Sequence, residues 1–159
     1  MLKKGAIISF ACAVILGLAL PVQASHYELQ DIELVGAELR EKLLAHEIDN
    51  TEQLLAALLS GKDRAAFAKA YGLGGDEVME LAQKLELMQL PGIGPKAATL
   101  LLLAEIGGVR DLAAADAQGL LERLLTANRV HAVTGVQPDN ELVKDWIKRA
   151  KAAIHLLQP

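Results

Sequence analysis

The stretch Leu90-Pro91-Gly92-Ile93-Gly94-Pro95-Lys96-Ala97-Ala98 decides the fold of this chain. It stands between two segments of helical periodicity, so it must redirect the backbone within a few residues. Gly92 and Gly94 are expected to take backbone angles that other residues resist, and Pro95 suits the first position of the next helix. Such a turn leaves backbone N–H groups unpaired at a helix start, where they form a cradle for an anion, most often a nucleic-acid phosphate. Ala97 and Ala98 are small enough to let the second helix lie close to the turn. The reading is a helix-hairpin-helix with Gly92, Ile93, Gly94 and Lys96 as candidate anion-binding residues, Lys96 adding charge. The plainer reading, a turn that only joins two helices, is favoured by its neighbours. Lys84 and Arg110 lie near in sequence, but so do Glu86, Glu105 and Asp111, and no basic patch builds up.

Upstream, Met1-Leu2-Lys3-Lys4, an apolar run from Gly5 to Leu20, and Pro21-Val22-Gln23-Ala24 make the three parts of a secretory signal peptide. The run is short for a membrane span, which needs about 20 residues. Val22 and Ala24 occupy the positions a signal peptidase reads, so cleavage is expected after Ala24, an uncleaved anchor being the alternative. Cys12 lies inside the apolar run, away from the cleavage site, and does not mark a lipoprotein. Cleavage would leave 135 of the 159 residues, enough for one domain (residues 25–159) with a real core. It would also remove the single cysteine, so no disulfide framework or thiolate metal site is expected. The remaining 14 basic and 20 acidic side chains give a net charge of about −6. An exported acidic domain is a poor candidate for nucleic-acid binding through its overall field. The expected product is periplasmic or extracellular, with no stable membrane insertion.

Alanine and leucine dominate, aromatic residues make up 3%, and no stretch alternates with period two, so the fold is expected to be all-α. Helices are expected near Gly36–His46, Thr51–Leu59, Lys62–Tyr71, Asp76–Leu87, Pro95–Glu105, Asp116–Asn128 and Asp139–Leu156. Gly61, Gly72–Gly75, Gly107-Gly108 and Gly135–Pro138 mark the breaks, and Thr51, Asp76, Asp116 and Asp139 stand where N-terminal caps belong.

An internal repeat runs through these helices. A shift of 58 residues pairs Gly36 with Gly94, Leu43-Leu44 with Leu101-Leu102, Glu47-Ile48 with Glu105-Ile106, and Leu54 with Leu112. A shift of 65 pairs Val78–Ala82 with Val143–Ile147, the extra residues falling in the loop Arg129–Pro138. The copies differ at the turn. Leu34, Glu33 and Glu38 stand where the second copy has Gly92, Pro91 and Lys96, and a carboxylate two residues into a helix repels a phosphate there. The first unit, about residues 27–87 with its turn at Gly36, is therefore expected to be a degenerate, structural hairpin. The second, about residues 88–156, keeps an anion-compatible turn.

These two units resemble domain-of-unknown-function family 4332. The residues that carry the likeness are Tyr27–Ile32 leading to Gly36, the hairpin Leu87–Ile106, and the closing Trp146-Ile147-Lys148-Arg149-Ala150-Lys151. The resemblance covers nearly all of the chain after residue 24 and implies a fold, two helix-hairpin-helix units in one pseudo-symmetric domain, rather than a chemistry.

Chemistry is sparse elsewhere. His26, His46, His131 and His155 form no i, i+4 pair with another ligand, so no metal or cofactor is expected. Ser25 and Ser60 carry no nucleophile signature, and the carboxylates are scattered, so no catalytic residues are assigned and an enzyme is not expected. Trp146 shares one helical stripe with Leu142, Val143, Ile147 and Ala150, the mark of a core face, with Lys144, Lys148, Arg149 and Lys151 on the solvated side. The last helix is expected to fold back on the first hairpin, placing Trp146, Ile147 and Ala150 on Ile32, Leu39 and Leu43. The functional expectation is an exported, noncatalytic domain that binds a protein or acts as a scaffold. Its rival is an extracytoplasmic DNA receptor, with weak affinity for nucleic acid through the Gly92–Gly94 hairpin.

Overall fold

The computed structural model describes residues 26–153 and 155–158. The expected signal peptide and its cleavage site lie outside the described residues. Within them the chain is all-helical: α1 (Ala37–Ala45), α2 (Thr51–Ala56), α3 (Gly61–Tyr71), α4 (Gly75–Leu87), α5 (Pro95–Leu103), α6 (Val109–Ala114), α7 (Ala117–His131) and α8 (Asn140–Ala152). One isolated antiparallel bridge joins Glu28 to Asn50, pinning the N-terminal segment beside α2. None of these helices is long and apolar enough to cross a membrane.

Local chemistry starts most of these helices. Asp116 and Asp139 cap α7 and α8 by accepting from the N–H groups of Gly119 and Leu142. Two expected caps are displaced. Asn50, not Thr51, caps α2, while Thr51 is buried and its Oγ1 accepts the N–H of Tyr27 at 3.1 Å. Gly74, not Asp76, stands at the start of α4, and Asp76 moves into the first turn, where a carboxylate still suits the helix dipole.

α6 is absent from the sequence expectations, because six residues after Gly107-Gly108 read locally as a break. Its start is held from elsewhere in the fold: Glu86 Oε2, on α4, accepts the Val109 N–H at 3.1 Å. A Cβ on Gly108 would stand 2.8 Å from that oxygen, so glycine is what allows the approach. The final helix ends at Ala152 rather than Leu156, because the N–H groups of Leu156 and Leu157 donate to Glu86 Oε1 instead of continuing the helix.

Two apolar clusters fill the interior. The first gathers Leu29, Leu43, Leu54, Leu58, Phe67 and the α4 stripe Val78, Leu81, Ala82 and Leu85. The second joins the end of α4 (Leu87, Met88) to the turn, to α5–α7, and to the α8 stripe Val143, Trp146, Ile147 and Ala150. α4 thus serves both clusters. Element lengths recur: α1 and α5 have nine residues each, α2 and α6 six, and α4 and α8 thirteen. α1 and α5 also end alike. Glu47 and Glu105 take left-handed backbone angles, φ 60° and 62°. The N–H of Ile48 donates to the carbonyl of Leu43 and that of Ile106 to Leu101, the bond that closes a Schellman C-cap.

The expected closure of α8 on the first hairpin is realised only at its edge. α8 packs chiefly on α6 and α7, while α4 packs on α5 as well as on α2 and α3. Ile32 does lie against the cluster that holds Trp146, Ile147 and Ala150, but Leu39 and Leu43 belong to the other cluster. The stripe of α8 is satisfied within its own half. What reaches the first half is the tail beyond α8. The Gln158 N–H donates to the Leu59 carbonyl, Leu157 packs on the first cluster, and the buried Arg64 donates to the carbonyls of Leu58, Leu59 and Gln158.

Candidate functional site

α4 unwinds through Met88, Gln89 and Leu90, and the Ile93 N–H donates back to the Leu90 carbonyl at 3.1 Å. Between them Gly92 sits at φ +84°, the left-handed region that favours glycine. Gly94 does not share that demand. It lies at φ −90°, ψ −177°, extended backbone that any residue adopts, and a Cβ there would meet only the Tyr27 hydroxyl at 3.4 Å. The sequence expectation that both glycines resist replacement is therefore corrected: Gly92 alone is conformationally required. Gly36, the counterpart of Gly94, is ordinary as well, at φ −61° with open space around it.

Ile93 is buried and anchors the turn in the second cluster. Gly94 is the N-cap of α5, and Pro95 fills the first helical position. Neither offers a side chain that accepts from the next N–H groups, so those of Lys96 and Ala97 are left uncapped at the start of a nine-residue helix. Lys96 itself is exposed.

The turn forms one wall of a cavity of about 790 Å³. Asp31, Ile32 and Glu33 line it from the N-terminal segment, and Val133, Thr134, Val136, Gln137 and Pro138 from the loop after α7. That loop is held by Asn128, whose side chain both accepts the Thr134 N–H at 3.0 Å and donates to the Thr134 carbonyl at 2.9 Å. Trp146 also lines the cavity, and its indole Nε1 lies 3.6 Å from where a Cβ on Gly92 would stand. This N–H is buried without an acceptor. Sequence reasoning placed Trp146 in the core, where it is, 3% exposed. It missed that the same ring lines the cavity, since nothing local links α8 to residue 92.

Lys96 is the one basic side chain among the lining residues, against the carboxyls of Asp31 and Glu33. Lys84 is engaged by Glu80 at 2.8 Å, and Glu86 is turned inward to α6 and the tail. The basic side of α8 is partly neutralised too, Lys144 by Glu141 and Arg149 by Asp145.

The family model described as "Domain of unknown function (DUF4332)" matches residues 33–153. The chain belongs to this family. The match takes in both apolar clusters apart from Leu29, the turn, and the cavity lining apart from Asp31 and Ile32, so in this DUF4332 chain most of the cavity lies in the family region. The chain matches no curated protein and no solved structure at a significant level. Among the described residues, no three His, Cys, Asp or Glu side chains gather as a metal site would require.

Proposed function

We propose that this chain is an exported, noncatalytic interaction domain that binds a protein partner over its second hairpin. In this reading it consists of two degenerate helix-hairpin-helix units, about residues 27–87 and 88–156, joined in one pseudo-symmetric domain. The equal lengths of α1 and α5, α2 and α6, and α4 and α8, with the paired left-handed glutamates, support the repeat. The N-terminal lysine pair, apolar run and Val22-Gln23-Ala24 support export.

The observation that carries the binding role is the cavity beside the turn. It is roomy and largely apolar, and two large hydrophobic residues on its rim, Val136 and Leu142, are 77% and 39% exposed. Exposed apolar surface gathered around a few polar groups marks a binding face. A photo-crosslinking residue placed at Val136 in the native host should capture one polypeptide, while the same residue at Glu122, exposed on α7 and outside the cavity, should capture none. Equal capture from both positions, or none from either, would refute the reading. Mass spectrometry of the exported product should give Ser25 as its first residue.

The DNA reading rests on the uncapped N–H groups of α5 and on Lys96, and it is opposed by Asp31, Glu33 and the overall charge. Affinity for duplex or single strands should be no tighter than about 10 micromolar at physiological salt. Submicromolar, salt-sensitive binding that Lys96→Glu abolishes would replace the protein-binding reading with this one.

A further inference from the structure

We propose that copies of this chain join head to tail, the lysine face of α8 on one copy meeting the acidic face of α1 on the next. The inference rests on the two-unit reading and assigns a second interaction surface, apart from the cavity.

The joint between the two units is the template. α4, the last helix of the first unit, packs on α5, the first helix after the turn. Met79 and Gln83 line the groove between the units, opposite Thr99, Leu102 and Leu103. A Cβ on Gly107 would stand 3.1 Å from the Gln83 amide nitrogen, and Glu86 accepts the Val109 N–H. Met79, Gln83 and Glu86, spaced i, i+4, i+7 on one helix face, thus form the stripe by which the first unit meets the second.

α8 has the same stripe, and no helix follows it among the described residues. The 65-residue shift puts Lys144, Lys148 and Lys151 where α4 has Met79, Gln83 and Glu86, and all three are exposed. Lys144 is held by Glu141 at 2.8 Å, while Lys148 and Lys151 meet no carboxylate at ion-pair distance among the described residues. Asp116, the one carboxyl in the groove beside them, is engaged by the Gly119 N–H. At the other end, α1 is the counterpart of α5, and no helix precedes it among the described residues. The 58-residue shift carries Thr99, Leu102, Glu105 and Gly107 to Glu41, Leu44, Glu47 and Asp49, again all exposed, Leu44 at 36%. These three carboxyls meet no ammonium or guanidinium at ion-pair distance among the described residues, and Lys42 is taken up by Glu38.

The two faces that the repeat leaves open therefore carry opposite charge, each where the internal joint would seat the other. Complementary charge of this kind steers encounter and fixes register. A nucleic-acid backbone would suit the lysines but leaves Glu41, Glu47 and Asp49 without a role, whereas a second copy accounts for both faces at once. The joint is heterologous, so copies add into a ring or an open chain, as stacked repeats do within one chain.

Sedimentation velocity of the purified protein at physiological salt, up to about 300 micromolar, should give an average mass that climbs with concentration. Lys148→Glu with Lys151→Glu should weaken association about ten-fold or more, and so should Glu41→Lys with Glu47→Lys. Each double variant then carries one sign of charge on both faces. An equimolar mixture of the two should associate again, because each α8 now meets an α1 of opposite sign, and this rescue also shows that both variants fold. Lys62→Glu with Lys69→Glu, the same change of charge on exposed positions of α3, should associate as the parent does.

A mass of one chain across the whole range overturns the inference. So does association that either reversal leaves intact, a mixture that stays monomeric, or an equal loss in the α3 variant. If Val136 captures a polypeptide while the protein stays monomeric, the interaction domain stands and the head-to-tail joint alone falls. A crystal structure in which residues 27–87 and 88–156 fail to superpose would instead remove the two-unit reading beneath it.

Discussion

Glu86 is the side chain whose removal should cost this fold most per atom. It is buried on α4, and its two oxygens take three backbone donors from distant parts of the chain: Val109 at 3.1 Å, Leu156 at 2.9 Å and Leu157 at 3.2 Å. In Glu86→Ala the Val109 N–H stays buried without an acceptor, while the two partly buried tail groups recover water as the tail lifts. The loss should be about 3–4 kcal/mol, most of it at Val109, since a net hydrogen bond to a charged group is worth about 1.5–3 kcal/mol. That corresponds to a fall in melting temperature of roughly 10–15 °C for a domain of this size. Glu86→Gln keeps one oxygen for the tail but turns an NH2 toward the Val109 N–H, and should lose about 1–2 kcal/mol. Deleting residues 154–159 removes two of the three donors, so Glu86→Ala should cost about 1 kcal/mol less in the shortened chain than in the full one. Urea unfolding followed by Trp146 fluorescence and far-ultraviolet circular dichroism measures the parent, both substitutions, and the shortened chain with and without Glu86→Ala. A Glu86→Ala variant within about 0.5 kcal/mol of the parent, or one that loses the same amount with and without the tail, would refute the reasoning.

At the turn, Gly92→Ala should destabilise by about 1–2 kcal/mol because φ +84° is closed to a Cβ, whereas Gly94→Ala should stay within about 0.5 kcal/mol of the parent; chemical denaturation separates the two. Glu47→Gly and Glu105→Gly relieve left-handed backbone at φ 60° and 62°, and each should stabilise by about 0.5 kcal/mol once the entropy of the unfolded glycine is counted. Responses of opposite sign would count against the repeat. Glu38, fully exposed on α1, has its carboxyl held below the ordinary value of 4.5 by the hydrogen bond from Lys42 and by that ammonium's charge. A carboxyl lowered on folding favours the folded state above that ordinary value, and the effect disappears as pH falls through the folded one. Lys42→Ala should therefore raise the Glu38 titration midpoint in an NMR titration, and an unmoved midpoint would break the assignment.

Much of the candidate site is invisible in sequence because its parts lie far apart along the chain. The turn 90–98 announced itself through Gly92 and Pro95, and Pro95 opens α5 as expected. Gly94 looked equivalent to Gly92, since a Gly-Ile-Gly spacing carries no record of which glycine takes the positive angle. Asp31, Glu33, Val136 and Trp146 carry no shared local signal, and only packing brings them to one cavity.

The sequence by itself determined the helical class, the family and most of the breaks between helices, because these follow from short-range rules: apolar spacing near 3.6 residues, capping residues and turn glycines. The 58-residue shift paired Glu47-Ile48 with Glu105-Ile106 without saying what they do, and the structure makes both pairs Schellman ends. The tertiary structure alone decided how the last helix and the tail are disposed. Hydrophobicity alone did not single out the surface that covers the apolar stripe of α8, because burial of apolar area is non-directional. The choice fell to α6 and α7, in a half where Glu86 had already fixed the start of α6, and the tail was left to close the first half through Arg64 and Glu86. Directional hydrogen bonds between residues as far apart as 64 and 158 set that arrangement, and no local pattern encodes them.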